Sequence, residues 1–115
     1  MDIKFEENKL KLPFTKVSFK HNIDRILESK GRIVVLLDIP NDDDTINNIY
    51  ALDINGKKLW RVQSLKEFNP NIAQFSPYVG ISLLDNGNIS ATNYFGMNYE
   101  VSIEDGKILG AHLAK

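Results

Sequence analysis

Apolar and polar residues alternate with a period of two along most of the chain. The alternation breaks repeatedly at Asn-Gly and Asp-Gly pairs. The clearest case is Tyr50-Ala51-Leu52-Asp53-Ile54, then Asn55-Gly56, then Lys57-Lys58-Leu59-Trp60-Arg61. Asn-Gly between two alternating runs is the strongest short-range hairpin signal. A two-residue loop there would set Asp53 opposite Lys58, Leu52 opposite Leu59, Ala51 opposite Trp60 and Tyr50 opposite Arg61. Such charge and aliphatic pairs contribute about 0.2–1 kcal/mol each, and a one-residue slip would break both. The same grammar predicts a hairpin at Asn86-Gly87, with Leu84 facing Ile89 and Asp85 facing Asn88. A third falls at Asp105-Gly106, with Ile103 facing Ile108, Glu104 facing Lys107 and Tyr99 opposite His112. Gly56, Gly87 and Gly106 are accordingly expected at positive φ. Phe95-Gly96 reads as a longer turn, because Phe is disfavoured at the positive φ of a two-residue loop.

Elsewhere the pattern is less uniform. Ile3 and Phe5, then Leu10 and Leu12, alternate about Glu7-Asn8, which predicts an N-terminal hairpin or arm within residues 1–20. Pro13 cannot donate to a ladder and ends that strand or places it at an edge. Residues 23–29 fit either a strand or a short helix, since Ile23, Ile26 and Leu27 recur at helical spacing. Arg32 to Ile39 is a continuous apolar, β-branched run, the pattern of a strand covered on both faces. Residues 63–77 lack alternation and hold breakers at Asn69-Pro70-Asn71 and Ser76-Pro77, with room for one helical turn at 64–68. Of the two phenylalanines there, Phe68 is expected inward and Phe75 nearer the surface. Both faces of the central hairpin carry apolar residues, so both need a cover. The fold class that follows is all-β: one domain over 1–115, an antiparallel meander of two blade-like units packed as a sandwich or partly open barrel.

Two stretches echo each other. Tyr50-Ala51-Leu52-Asp53-Ile54 before Gly56 parallels Tyr99-Glu100-Val101-Ser102-Ile103 before Gly106, 49 positions later. YALDINGKKLW resembles the strand–turn–strand signature of quinoprotein-type propeller blades, and YEVSIEDGKIL is a weaker version. Two such units are too few for a closed propeller, which takes about four or more. The carboxy-terminal pattern G-x-x-Y-x-[VI]-x-x-x-x-G-K-I, here Gly96 to Ile108, also resembles small bacterial proteins of the toxin-immunity and accessory type. That resemblance implies a protein-binding role and carries over no catalytic residue.

Composition narrows the remaining classes. With 14 basic and 15 acidic residues the net charge is −1, which gives no electrostatic reason to expect nucleic acid or an anionic membrane as a partner. The absence of cysteine removes disulfides, thiolate metal sites and cysteine nucleophiles together. The opening MDIKFEENKLK is charged throughout, without the apolar core of a secretory leader, and the expectation is a cytoplasmic protein.

Candidate chemistry is sparse. Asp42, Asp43 and Asp44 make the richest oxygen cluster but lack the alternate-residue spacing, central Gly and distant Glu of a calcium loop, so no tight calcium site is expected. His21 and His112 have no zinc-ligand spacing, and no metal or cofactor is assigned. No nucleophile elbow, phosphate loop or dinucleotide fingerprint occurs, and no catalytic residue is named. What remains is aromatic. Phe75, Tyr78, Tyr94 and Phe95 lie at or beside loops, and exposed aromatics anchor protein interfaces. With Asp42, Asp43 and Asp44 they form the candidate contact set for a protein partner. The expected function is a non-enzymatic protein-binding domain, the class that includes immunity proteins neutralising a cognate bacterial toxin. A homodimer is compatible with it. A small-ligand-binding β domain and a hydrolase with an unrecognised site are the alternatives.

Overall fold

A computed structural model describes residues 3–72 and 75–113. Within these residues the chain forms three antiparallel sheets, each a simple meander. The first holds β1 (Lys4–Glu6), β2 (Lys9–Lys11) and β3 (Lys16–Ser18). The second holds β4 (Ile23–Ser29), β5 (Arg32–Leu37), β6 (Ile49–Leu52) and β7 (Lys58–Arg61). A single helical turn, α1 (Leu65–Phe68), leads toward the third sheet: β8 (Tyr78–Leu83), β9 (Ile89–Asn93), β10 (Met97–Val101) and β11 (Ile108–Leu113). Residues 23–29 are therefore strand. Among the described residues no helix is long and apolar enough to cross a membrane.

The second sheet is the middle layer, which is why β5 is apolar and buried at every position from Ile33 to Leu37. Val34 and Leu36, with Ala51 of β6, enter a core shared with Ile81, Ile89, Ala91, Tyr99 and Val101 of the third sheet. Ile33, Val35 and Leu37 alternate with them and enter a second core, against Leu10, Leu12 and Phe19 of the N-terminal sheet. Strand alternation sends neighbouring side chains to opposite faces, so a strand between two cores must be apolar throughout. Leu65 is buried in the first core and Phe68 packs against it, ring edge to Tyr99 at 6.4 Å. Phe75 is largely at the surface, as its place among the breakers suggested.

The hairpins are where expected, but their loops are longer. Gly56, Gly87 and Gly106 all have positive φ, at 86°, 90° and 77°. Asn55, Asn86 and Asp105 do not, so none of these is a two-residue type I′ loop. In the first, the Gly56 N–H donates to Asp53 O (3.0 Å) and the Asp53 N–H to Lys57 O (2.9 Å). Asp53 Oδ1 accepts from the backbone N–H of Asn55 and Lys57, which fixes a three-residue loop. Leu52 then pairs with Lys58, and a bulge restores Ala51–Trp60 and Tyr50–Arg61 as expected. Leu59 is the extra residue, paired with nothing across the ladder and partly exposed. The second hairpin shifts likewise: Leu83, not Leu84, lies opposite Ile89. The third shifts further, pairing Val101 with Ile108 and Tyr99 with Ala111.

Polar contacts from Asn48, Trp60 and Gln63 are among those that lock the second sheet to the third. Asn48, fully buried, bridges them: its Nδ2 donates to Leu37 O (2.8 Å) and Tyr78 O (2.9 Å), while its Oδ1 accepts from Tyr78 N–H (2.9 Å). Trp60 Nε1 donates to Ile103 O at 2.9 Å. Gln63 Oε1 accepts from Ile108 N–H, and the Gln63 N–H donates to Gly106 O. A Cβ at Gly106 would lie 2.5 Å from the Trp60 ring, so the indole packs where only glycine leaves room.

Candidate functional site

The loop from Pro40 to Asn47 carries the acidic cluster and separates two concave surfaces. It is tied down locally. The Asp43 N–H donates to Pro40 O (3.0 Å), and Asp43 Oδ1 accepts from Thr45 N–H (2.8 Å). Its other oxygen, Oδ2, lies 2.7 Å from Nε2 of the largely buried His21. Hydrogen bonds from Thr45, then from His21, hold the Asp43 carboxyl well below its ordinary value of 3.8. Asp42 and Asp44 point into solvent.

On one side of the loop, Pro40, Asp43, Phe75, Pro77 and Tyr94 line a shallow groove of about 200 Å³. The sequence-predicted contacts Asp43, Phe75 and Tyr94 are therefore brought together from three separate loops. Tyr94 and Phe95 project from the β9–β10 turn, 74 % and 53 % exposed, their rings edge to face at 5.8 Å. That turn is rigidly held. Asn93 Oδ1 accepts from the N–H of Phe95 and of Met97, both at 3.0 Å, and the Gly96 N–H donates to Asn93 O. Ser76 Oγ accepts from the Tyr94 N–H at 3.3 Å, which couples the turn to the Phe75 loop. Two large aromatic side chains are thus displayed by a backbone with little freedom.

Tyr78 does not join them. It is 2 % exposed and packs edge to face on Tyr99, with ring centroids 6.2 Å apart. Its backbone is what Asn48 grips, so it sets where the Ser76-Pro77 segment leaves the core. Burial pushes its hydroxyl above the ordinary tyrosine value of 10.0. Among the described residues that hydroxyl has no hydrogen-bond partner.

On the other side of the loop lies a deeper cleft of about 340 Å³, between the exit of β3 and the β6–β7 hairpin. Its walls carry Lys20, His21, Lys58 and Arg61 around Phe19 and Tyr50. The residues come from three distant stretches, and the sequence offered only one local clue: the register that places Tyr50 across from Arg61. That pairing holds, and the Arg61 guanidinium sits 5.2 Å from the Tyr50 ring centroid. No group of three or more His, Cys, Asp or Glu side chains able to hold a metal occurs among the described residues.

A family model described as "Domain of unknown function (DUF7957)" matches residues 1–113. Comparison with curated proteins and with solved structures finds no match.

Proposed function

The chain belongs to this DUF7957 family, and from the geometry of its surface we propose that it is a non-enzymatic protein-binding domain. Its contact surface is the aromatic knuckle Tyr94–Phe95 with Phe75 at its foot and the acidic loop 42–44 beside it. The observation that carries this reading is the pair of aromatic rings held in solvent on a turn whose backbone N–H groups, from Tyr94 to Met97, are all hydrogen-bonded. Folding gains little from them there, whereas a partner that buries them gains apolar area at about 25 cal/mol per Å². The backbone that carries those side chains is already held, so that part of the ordering cost does not fall on binding. The acidic loop gives the rim a negative sign, suited to a partner with basic residues around an apolar recess. An immunity protein that covers a cognate toxin is the specific form of this proposal.

The test is co-expression with each protein encoded beside its gene, followed by purification of any complex. Complex formation should be lost in Tyr94→Ala/Phe95→Ala and kept in Leu109→Ala, an exposed leucine at the opposite end of the same sheet. Both variants should melt with the parent. Retention of the complex by the double variant overturns the proposal.

A further inference from the structure

We propose that the cleft between the N-terminal sheet and the β6–β7 hairpin is a second, separate site, which binds the oxyanion of a small organic acid, a carboxylate or a phosphate monoester. The chain as a whole carries a net charge of −1, yet Lys20, Lys58 and Arg61 converge on this cleft together with His21. Among the described residues no ion pair neutralises Lys20, Lys58 or Arg61, and the Asp43 carboxylate is committed to His21. Like charges gathered without counter-charges repel one another, and a recess with low-dielectric walls focuses their field on its mouth. An oxyanion relieves that repulsion.

The cations also rest on aromatic rings. The Phe19 and Tyr50 rings stand 5.6 Å apart, and the Lys58 ammonium lies 5.1 Å and 5.3 Å from their centroids. Arg61 lies over the same Tyr50 ring, and its Nε donates to Asn47 O at 2.6 Å. That bond fixes the plane of the guanidinium while its terminal nitrogens have no partner among the described residues. Those nitrogens supply fork-like, two-point recognition of a carboxylate or phosphate. Cations immobilised by aromatic faces are already oriented before a ligand arrives, and preorganisation lowers the cost of binding.

Size and lining set the rest of the ligand. A cleft of about 340 Å³ falls at the lower end of small-ligand sites, roughly 300–1,000 Å³, and has room for more than a lone tetrahedral anion. Phe19, Leu37 and Tyr50 offer apolar surface to an organic body beside the charged group. The site shares none of Phe75, Tyr94 and Phe95 and meets the protein-binding surface only where His21 contacts Asp43, so variants at Lys20, Lys58 and Arg61 test it apart from that surface.

Titration of the full chain with phenyl phosphate, benzoate, inorganic phosphate, phenol and an acidic peptide tests this, followed by amide NMR shifts and calorimetry. Saturable shifts centred on Ser18 to His21, Tyr50, Lys58 and Arg61 are expected with phenyl phosphate or benzoate. Which of the two binds more tightly assigns the oxyanion. Binding should weaken roughly tenfold or more in Arg61→Gln and in Lys58→Gln, and should fall with added salt. Lys20→Gln, on an exposed side chain, provides the same reading should either of the others disturb folding. Four results overturn the proposal: no saturable shift at about 1 mM acid, equal binding of phenol, equal binding of inorganic phosphate, or a stronger response to the acidic peptide than to either small acid.

Discussion

Asn48 offers the sharpest perturbation of the architecture that positions both surfaces. It is fully buried and makes three side-chain hydrogen bonds, to the carbonyls of Leu37 and Tyr78 and from the Tyr78 N–H. Asn48→Leu keeps the branch at Cγ, adds volume to a packed site, and removes all three. The Tyr78 N–H then loses its acceptor inside the core, a desolvation cost of about 1–3 kcal/mol. The two carbonyls lose a donor as well, each worth about 1 kcal/mol, so the variant should lose roughly 3–5 kcal/mol in all. That is a large share of the ~5–15 kcal/mol typical of a domain. At about 4 °C per kcal/mol the melting temperature should fall by roughly 12–20 °C. Asn48→Asp should be worse at neutral pH than in acid. A carboxylate facing two carbonyls in a buried site has its folded-state pKa raised. Whatever stability it retains is present below the unfolded value, about 3.9, and lost as pH rises through the folded one. Urea unfolding followed by circular dichroism, at pH 4 and pH 7, measures both variants. If Asn48→Leu unfolds within about 1 kcal/mol of the parent with an unchanged slope, the clamp does not hold the sheets together and the reasoning fails.

Other outcomes follow from the same contacts. Gly106→Ala meets both a left-handed backbone (φ 77°) and the Trp60 ring at 2.5 Å, so it should destabilise by more than about 2 kcal/mol in thermal melts. Phe68→Ala, at the edge of the core, should lose about 2–4 kcal/mol, whereas Phe75→Ala should lose under about 1 kcal/mol. An NMR titration should show the Asp43 carboxyl ionising well below 3.8. Its contribution to stability is then whole above that value and lost as pH falls toward the folded one, a dependence that Asp43→Asn abolishes.

Much of this fold was legible as a list of hairpins, because Asn-Gly and Asp-Gly between alternating runs carry their own mechanism. The two-sided burial of the middle sheet was also legible, in the unbroken Ile33–Leu37 run and the two apolar faces of the central hairpin. The register at the loops was not. Asp53 and Asn93 use their side-chain oxygens to accept two backbone N–H groups each, which favours a type I turn closed by a left-handed glycine over a two-residue loop. At 53–56 the signal was present as Asp-x-x-Gly, but it competed with the more conspicuous Asn-Gly pair; at 93–96, where no such pair intrudes, the longer turn was read from Phe95-Gly96. Asn48 gave no signal, since one asparagine in a polar loop resembles any other until the sheets stack. The cation-lined cleft was hidden for the same reason. Tyr50 and Arg61 meet within the middle sheet, but Phe19 reaches Tyr50 only when the N-terminal sheet covers it. The aromatic contacts were half legible: turn chemistry brought out Tyr94 and Phe95, but the periodicity of β8 did not reveal that Tyr78 faces inward.

Site-specific photo-crosslinking in the native host tests the binding role most directly. A benzophenone side chain would replace Phe95, and in a parallel strain Leu109, exposed at the far end of the same sheet. A partner that buries the aromatic knuckle brings its side chains within reach of position 95 and leaves position 109 in solvent. One discrete adduct of higher mass is expected from position 95, absent from position 109 and lost when Tyr94→Ala is added. No adduct at position 95, or the same adducts from both positions, would contradict it.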